Sequence, residues 1–292
     1  MLFRSSPGAV SFTNVVSGDE VTASASLVGT SLSTGGQIKA GSYQQRVSAI
    51  GGTDAGNYSL SSYTTPTATY TVNQLALVGA LSAGSSVYGA TLAPGTVSLS
   101  NVVSGDQVQT GSVTVNTTGN LSSGGKLKAG SYAGIQSVGS TLTGADAGNY
   151  TFGGLTGNYT VSQLALTGTA IASASSTYGS AVSPGAVSFT NVVSGDEVTA
   201  SASLVSTSLS TGGQIKAGSY QQRVSAIGGA DAGNYSLSSS YTTPTATYTV
   251  SQLALTGTLS AGSSVYGATL APGTVSLSNV VSGDQVQTGS VT

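Results

Sequence analysis

The string Val-Val-Ser-Gly-Asp occurs four times, ending at Asp19, Asp106, Asp196 and Asp284, so the chain advances in steps of 87, 90 and 88 residues. Pro7, Pro94, Pro184 and Pro272 keep the same steps, and Tyr-Thr-Val begins at Tyr70, Tyr159 and Tyr248. A period near 88 residues means one supersecondary unit used repeatedly, each copy meeting mainly its chain neighbours. Alternate copies are nearly the same. From Pro7 to Leu77 and from Pro184 to Leu255 the differences are Gly29/Ser206, Thr53/Ala230, Asn73/Ser251 and an inserted Ser near Ser240. Adjacent copies diverge far more. The order is therefore A-B-A-B: 1–79 a partial A repeat, 80–168 a full B repeat, 169–256 a full A repeat, and 257–292 a partial B repeat. Both ends fall inside a repeat, so the chain reads as a piece of a longer array.

Within a repeat the apolar spacing is two. Val97 and Leu99 flank Ser98, Val113 and Val115 flank Thr114, and Tyr159 and Val161 flank Thr160. This alternation turns one face inward and one outward, as in a half-buried strand. Between the runs stand APGT, VSGD, SSGG, KAGS and GADAGN, rich in residues that tolerate tight turns. No 3.6-residue pattern occurs. The expected fold is all-β: a tandem array of small β-sandwich or β-grasp-like domains, strung like beads with almost no linker. The alternative is a continuous β-solenoid, whose coils usually repeat over a shorter period.

Composition narrows the chemistry. There are 7 basic and 9 acidic residues, no His and no Cys, and the net charge is −2. Imidazole, thiol and disulfide chemistry are excluded, and with no basic cluster a nucleic-acid partner is not expected. A hydrophobic fraction of 38% separates the chain from disordered sequences. No run approaches a membrane span, so no membrane insertion is expected of this segment.

The strings AGSYAGIQSVGSTLTGADAGNYTF, a terminal YTV strand, and VYGATLAPGTVSLSNVVSGD resemble the glycine-rich, mostly-β repeats (YDG and MBG types) of large bacterial surface adhesins, including filamentous-haemagglutinin-like proteins. Tyr88-Gly89, Tyr178-Gly179 and Tyr266-Gly267 match the Tyr-Gly entry of such repeats, although the Asp of the YDG form is absent. The resemblance implies an extracellular or cell-surface stalk or adhesive region, with export and anchoring modules elsewhere. Its partners would be neighbouring repeats and host or environmental surface glycans or proteins.

Several residues invite a sharper reading. Asp54, Asp146 and Asp231 sit in DAGNY strings, where a carboxylate beside Gly and Asn suits calcium; one carboxylate per copy falls short of the 6 to 8 oxygens required, so turn capping is expected and no metal or cofactor is assigned. The Asp of each VVSGD is expected to form an Asx-type turn. Lys39, Lys128 and Lys216 recur with Asn57, Asn149 and Asn234, a pairing that surface proteins can convert to an amide cross-link; solvent-exposed lysines are expected instead. Thr65, Thr67, Thr69 and Thr71, and again Thr243, Thr245, Thr247 and Thr249, would place four hydroxyls on one strand face, a surface for glycans or simply for water. Tyr58, Tyr150 and Tyr235 are expected to bury their rings and hydrogen-bond their hydroxyls rather than stack on sugars. With no recurring second carboxylate and no activated Ser, catalysis is not expected. The functional expectation is a non-catalytic stalk or multivalent adhesive array; a carbohydrate-binding accessory module of a secreted enzyme is the alternative.

Overall fold

In the computed structural model, residues 7–237 and 239–289 are described; the outermost ends of the two partial repeats, and Ser238 beside the Ser insertion, lie outside them. The chain is all-β. Among the described residues twenty-eight short strands form sheets of two to four strands, and the helical turns are three single 3-10 turns, Ala55–Asn57, Ala147–Asn149 and Ala232–Asn234. Among the described residues no helix is long and apolar enough to cross a membrane.

The A repeat at 169–256 shows how the alternation is used. Thr199–Leu204 alternates between exposed and half-buried residues and pairs antiparallel with Gln222–Gly228, whose Val224 is fully buried. The closing strand, Tyr248–Ser251, alternates buried and exposed; Tyr248 and Val250 point inward and pack with Tyr220. This strand runs parallel to Ala174–Thr177 on one side and antiparallel to Gly218–Tyr220 on the other. The Tyr-Thr-Val signature is thus the central strand of a three-stranded sheet.

A glutamine, buried at Gln136 and Gln222 and half-buried at Gln45, pins the Pro-Gly turn in three of the copies. Gln222 Oε1 accepts the Gly185 amide at 2.6 Å, and its Nε2 donates to Ala172 O and Thr247 Oγ1, both at 2.9 Å. Gln136 Oε1 accepts Gly95 N at 2.6 Å, and Gln45 Oε1 accepts Gly8 N at 2.7 Å. A Cβ at Gly185 would sit 1.8 Å from Ala172 O, so the chain crossing here admits only glycine.

Contacts divide the molecule into two compact units. One comprises the chain up to Ser86 with Thr91–Thr117 and Ser131–Thr160; the other comprises Val87–Ala90, Thr118–Gly130 and the chain from Val161 onward. These divisions do not follow the repeat boundaries, because three segments of the 80–168 repeat (87–90, 118–130 and 161–168) belong to the unit of the repeat that follows. The same overlap appears in the core of the first unit. There Leu77, from the end of the first repeat, is buried with Val138, Tyr150 and Phe152 of the second, under a layer that includes Val97, Leu99 and Leu155.

Candidate functional site

The recurrent polar residues gather at the joints between consecutive repeats. In the first unit the Ser-Thr-Gly-Gly turn of the first repeat enters the second. Gly35 N donates to Asp106 Oδ1 at 2.9 Å, Thr34 N to Asp146 Oδ1 at 3.1 Å, and Ala40 N to Asn149 Oδ1 at 2.9 Å. The Thr34 hydroxyl also contacts Asp146 Oδ2 and Gly105 O. Beside it, Leu75–Ala76 adds a parallel strand to Tyr150–Thr151, Leu77 N donates to Thr151 O at 2.8 Å, and Gln74 Nε2 to Gly148 O at 2.9 Å.

The second unit repeats the arrangement with different residues. Gly124 N donates to Asp196 Oδ1 at 2.8 Å, Ser123 N to Asp231 Oδ1 at 3.2 Å, and Ala129 N to Asn234 Oδ1 at 2.8 Å. Leu164–Ala165 runs parallel to Tyr235–Ser236, and Leu166 N donates to Ser236 O at 2.8 Å. An aromatic clamp is added: the hydroxyls of Tyr88 and Tyr235 both donate to Asp196 Oδ2 at 2.5 Å, and their rings meet edge to face at 5.3 Å. A third joint in this unit has Gly212 N on Asp284 Oδ1 at 2.9 Å, with the Tyr178 hydroxyl on Asp284 Oδ2.

This geometry revises two turn assignments. Asp54, Asp146 and Asp231 precede the 3-10 turns without capping them by side chain. Their carboxylates reach back instead to Glu20 N, Gln107 N and Glu197 N at 2.8, 2.9 and 3.0 Å. Asp106, Asp196 and Asp284 likewise reach across to a tyrosine and to the preceding repeat, and Asp19 reaches Tyr58, rather than closing an Asx turn. In both cases a distant backbone amide offers a better-placed donor than the local ones. Both oxygens of Asp146 and of Asp231 accept hydrogen bonds, and among the described residues no three His, Cys, Asp or Glu side chains converge on one point.

Of the three DAGNY tyrosines, Tyr150 and Tyr235 turn inward, whereas Tyr58 is only half-buried. Tyr150 and Tyr235 are 4% and 2% exposed, which leaves no face for a sugar ring; their hydroxyls accept Val103 N and Val193 N and donate to Asp106 and Asp196. Lys128 and Lys216 are exposed and Lys39 is half-buried; Lys39 and Lys128 lie near Asp146 and Asp231. The Asn149 and Asn234 carboxamide oxygens accept backbone amides of the preceding repeat.

The threonines do not form a four-hydroxyl face. Tyr63–Thr64 and Tyr70–Val72 are separate strands around a bend at Pro66, and Tyr241–Thr242 and Tyr248–Ser251 flank Pro244 in the same way. Proline has no amide to continue a ladder. The hydroxyls of Thr65 and Thr69 face Gln45, and Thr243, buried, accepts Gln222 N at 3.1 Å while Thr247 Oγ1 accepts from Gln222 Nε2. Thr67, Thr71, Thr245 and Thr249 remain exposed.

Protonation follows from these contacts. For Asp196, burial pushes the carboxyl up, but the hydrogen bonds from Tyr235, Tyr88 and Gly124 N outweigh it and the pKa falls. The Gln107 amide and the Thr34 hydroxyl lower Asp146, the Glu197 amide lowers Asp231, and Tyr178 lowers Asp284. Burial, then the neighbouring carboxylate, pushes Tyr88 and Tyr150 up to about 12. A lowered carboxyl pKa stabilises the fold above its ordinary value of 3.8, and that contribution disappears as pH falls through the folded value. A raised phenol pKa stabilises below 10.0, and the contribution is lost as pH climbs towards about 12. Thermal unfolding followed by circular dichroism is expected to give a flat melting temperature from about pH 5 to about pH 9, falling on both sides. A drop within that window would contradict the assignment of these groups to the joints.

Comparison with protein-family models, with curated proteins and with solved structures gave no match to the chain.

Proposed function

We propose that the chain is a non-catalytic segment of a large bacterial cell-surface or secreted adhesin, serving as a stalk that spaces a binding region from its anchor. One observation supports this reading above the others: the recurring Asp, Asn and Tyr groups, which a catalytic or ligand-binding site would use, are engaged in holding one repeat to the next. A spacer requires joints that transmit position, and charge-assisted hydrogen bonds combined with strand addition supply them. Extracellular placement rests on the resemblance to adhesin repeats. The near absence of ionic and thiol groups suits an exposed array, since little in it responds to redox conditions or moderate pH change.

Small-angle scattering from arrays of two, four and six repeats tests the spacer role. The maximum dimension is expected to grow by a constant amount per added pair. Growth of the radius of gyration as roughly the 0.38 power of chain length, the scaling of a single compact body, would sink the reading.

A further inference from the structure

In the repeat at 169–256 the chain coming in lies alongside the chain going out, and both run the same way. Leu164–Ala165 is parallel to Tyr235–Ser236, with Leu166 N donating to Ser236 O at 2.8 Å and Gln163 Nε2 to Gly233 O at 2.9 Å. Further along, Ala174–Thr177 is parallel to Tyr248–Ser251, closed by Ala174 N on Thr247 O at 3.0 Å and Tyr178 N on Ser251 O at 2.8 Å. All of these residues belong to the second compact unit. The 80–168 repeat is entered and left in the same manner: Leu75–Ala76 is parallel to Tyr150–Thr151, Gly84–Val87 neighbours Leu155–Ser162, and Tyr88 N donates to Ser162 O at 2.8 Å. The outgoing strand is the inner one of its sheet. Gly218–Tyr220 flanks Tyr248–Ser251 on the other side, and the side chains of Tyr248 and Val250 are buried.

We propose that the entry and exit strands of each complete repeat form a force-bearing clamp, which makes the array resistant to tension. A pull along the chain drags Ala174–Thr177 towards the N-terminus and Tyr248–Ser251 towards the C-terminus. Because the two strands are parallel and adjacent, the drags oppose each other along the strand axis, across the direction in which the hydrogen bonds point. Every bond of the pair then carries load at once, and none opens until the whole ladder slides. The same pair pulled from one end would open a bond at a time. The Leu164–Ala165 ladder is loaded in the same sense. Packing opposes sliding as well, since a slip of one residue would turn Tyr248 and Val250 out of the core they share with Tyr220. Forced unfolding is governed by the barrier to rupture and not by net stability, so a fold of small sheets is mechanically firm if these ladders are. The clamp serves the molecule only as part of a tension-bearing stalk, and in that respect rests on the reading above.

Single-molecule force spectroscopy on the full chain tests the clamp. The chain has no Cys, so pairs of introduced cysteines are unique attachment points. Ser173→Cys with Gln252→Cys pulls the two strands in opposite directions along their axes. Ser173→Cys with Ala246→Cys pulls the same ladder apart from one end. All three positions are exposed, so the substitutions leave the fold intact. At one loading rate the 173/252 attachment is expected to hold several times the force of the 173/246 attachment. A rupture force no greater for 173/252 than for 173/246 would overturn the proposal. The two readings fail separately: equal forces in arrays that still lengthen with each added pair of repeats would remove the clamp and keep the stalk, whereas a several-fold ratio in arrays that stay compact would remove the stalk and keep the clamp as a property of the fold.

Discussion

Asp196→Ala is expected to destabilise the second compact unit by about 3 to 5 kcal/mol, the largest single effect at any joint. The substitution removes the acceptor of two phenol hydroxyls and of the Gly124 amide. A hydrogen bond to a charged group contributes about 1.5 to 3 kcal/mol, and a buried donor left unsatisfied costs about 1 to 3 kcal/mol. Tyr88 and Tyr235 are both 2% exposed, so water does not readily replace the lost carboxylate. Asp19 provides the comparison: it accepts the Tyr58 hydroxyl at 2.7 Å in a half-exposed setting, and Asp19→Ala should cost about 1 kcal/mol. Hydrogen exchange localises the effect without assuming two-state unfolding. Amides of Thr118–Gly130 should lose protection in Asp196→Ala, while those of 33–40, held by Asp106 and Asp146, keep theirs. Uniform loss over both stretches, or none, would refute the assignment of Asp196 to one joint.

Gly124→Ala should cost about 2 to 4 kcal/mol, and its neighbour Gly125→Ala about 1 to 2. The mechanisms differ. Gly124 has no left-handed φ, but a Cβ there would lie 2.5 Å from Asp196 Oδ1 and 2.8 Å from Ser194 O, so the turn has to withdraw and lose its hydrogen bond. Gly125 has φ +73° and open space around it, so alanine meets only backbone strain. Gly35 and Gly212 face Asp106 and Asp284 at 2.6 and 2.8 Å in the same manner. Urea unfolding of the two variants tests the ranking: a larger loss for Gly125→Ala than for Gly124→Ala would mean that local conformation, not the close approach of repeats, selects glycine here.

Much of the architecture was readable from periodicity. The 88-residue step, the two-residue alternation and the glycine corners give short strands and small sheets, and the burial of Tyr150 and Tyr235 follows from aromatic rings placed at strand starts. Less was readable about the polar residues. Asp146 next to Ala-Gly-Asn looks like a local turn residue because its neighbours in sequence are turn formers; its partners, Thr34 and Gln107, are 112 and 39 residues away. Gln45, Gln136 and Gln222 gave no signal, since an isolated glutamine in a polar strand is ordinarily solvated. Their offsets from the Pro-Gly turn they hold are 37, 41 and 37 residues, not a constant spacing. The threonine series misled in the other direction: alternation at Thr65, Thr67 and Thr69 is strand-like, but Pro66 interrupts the ladder and the hydroxyls of Thr65 and Thr69 bond Gln45.

The sequence by itself determined that the chain is β and repetitive, because residue alternation and turn composition are local properties encoded within a few positions. Only the tertiary structure decided that consecutive repeats interlock, with Gly124 set against Asp196 and Leu77 buried beneath Tyr150. Those contacts depend on where each loop's orphaned amides find acceptors once the sheets are formed, and a buried amide must find one wherever the fold brings it.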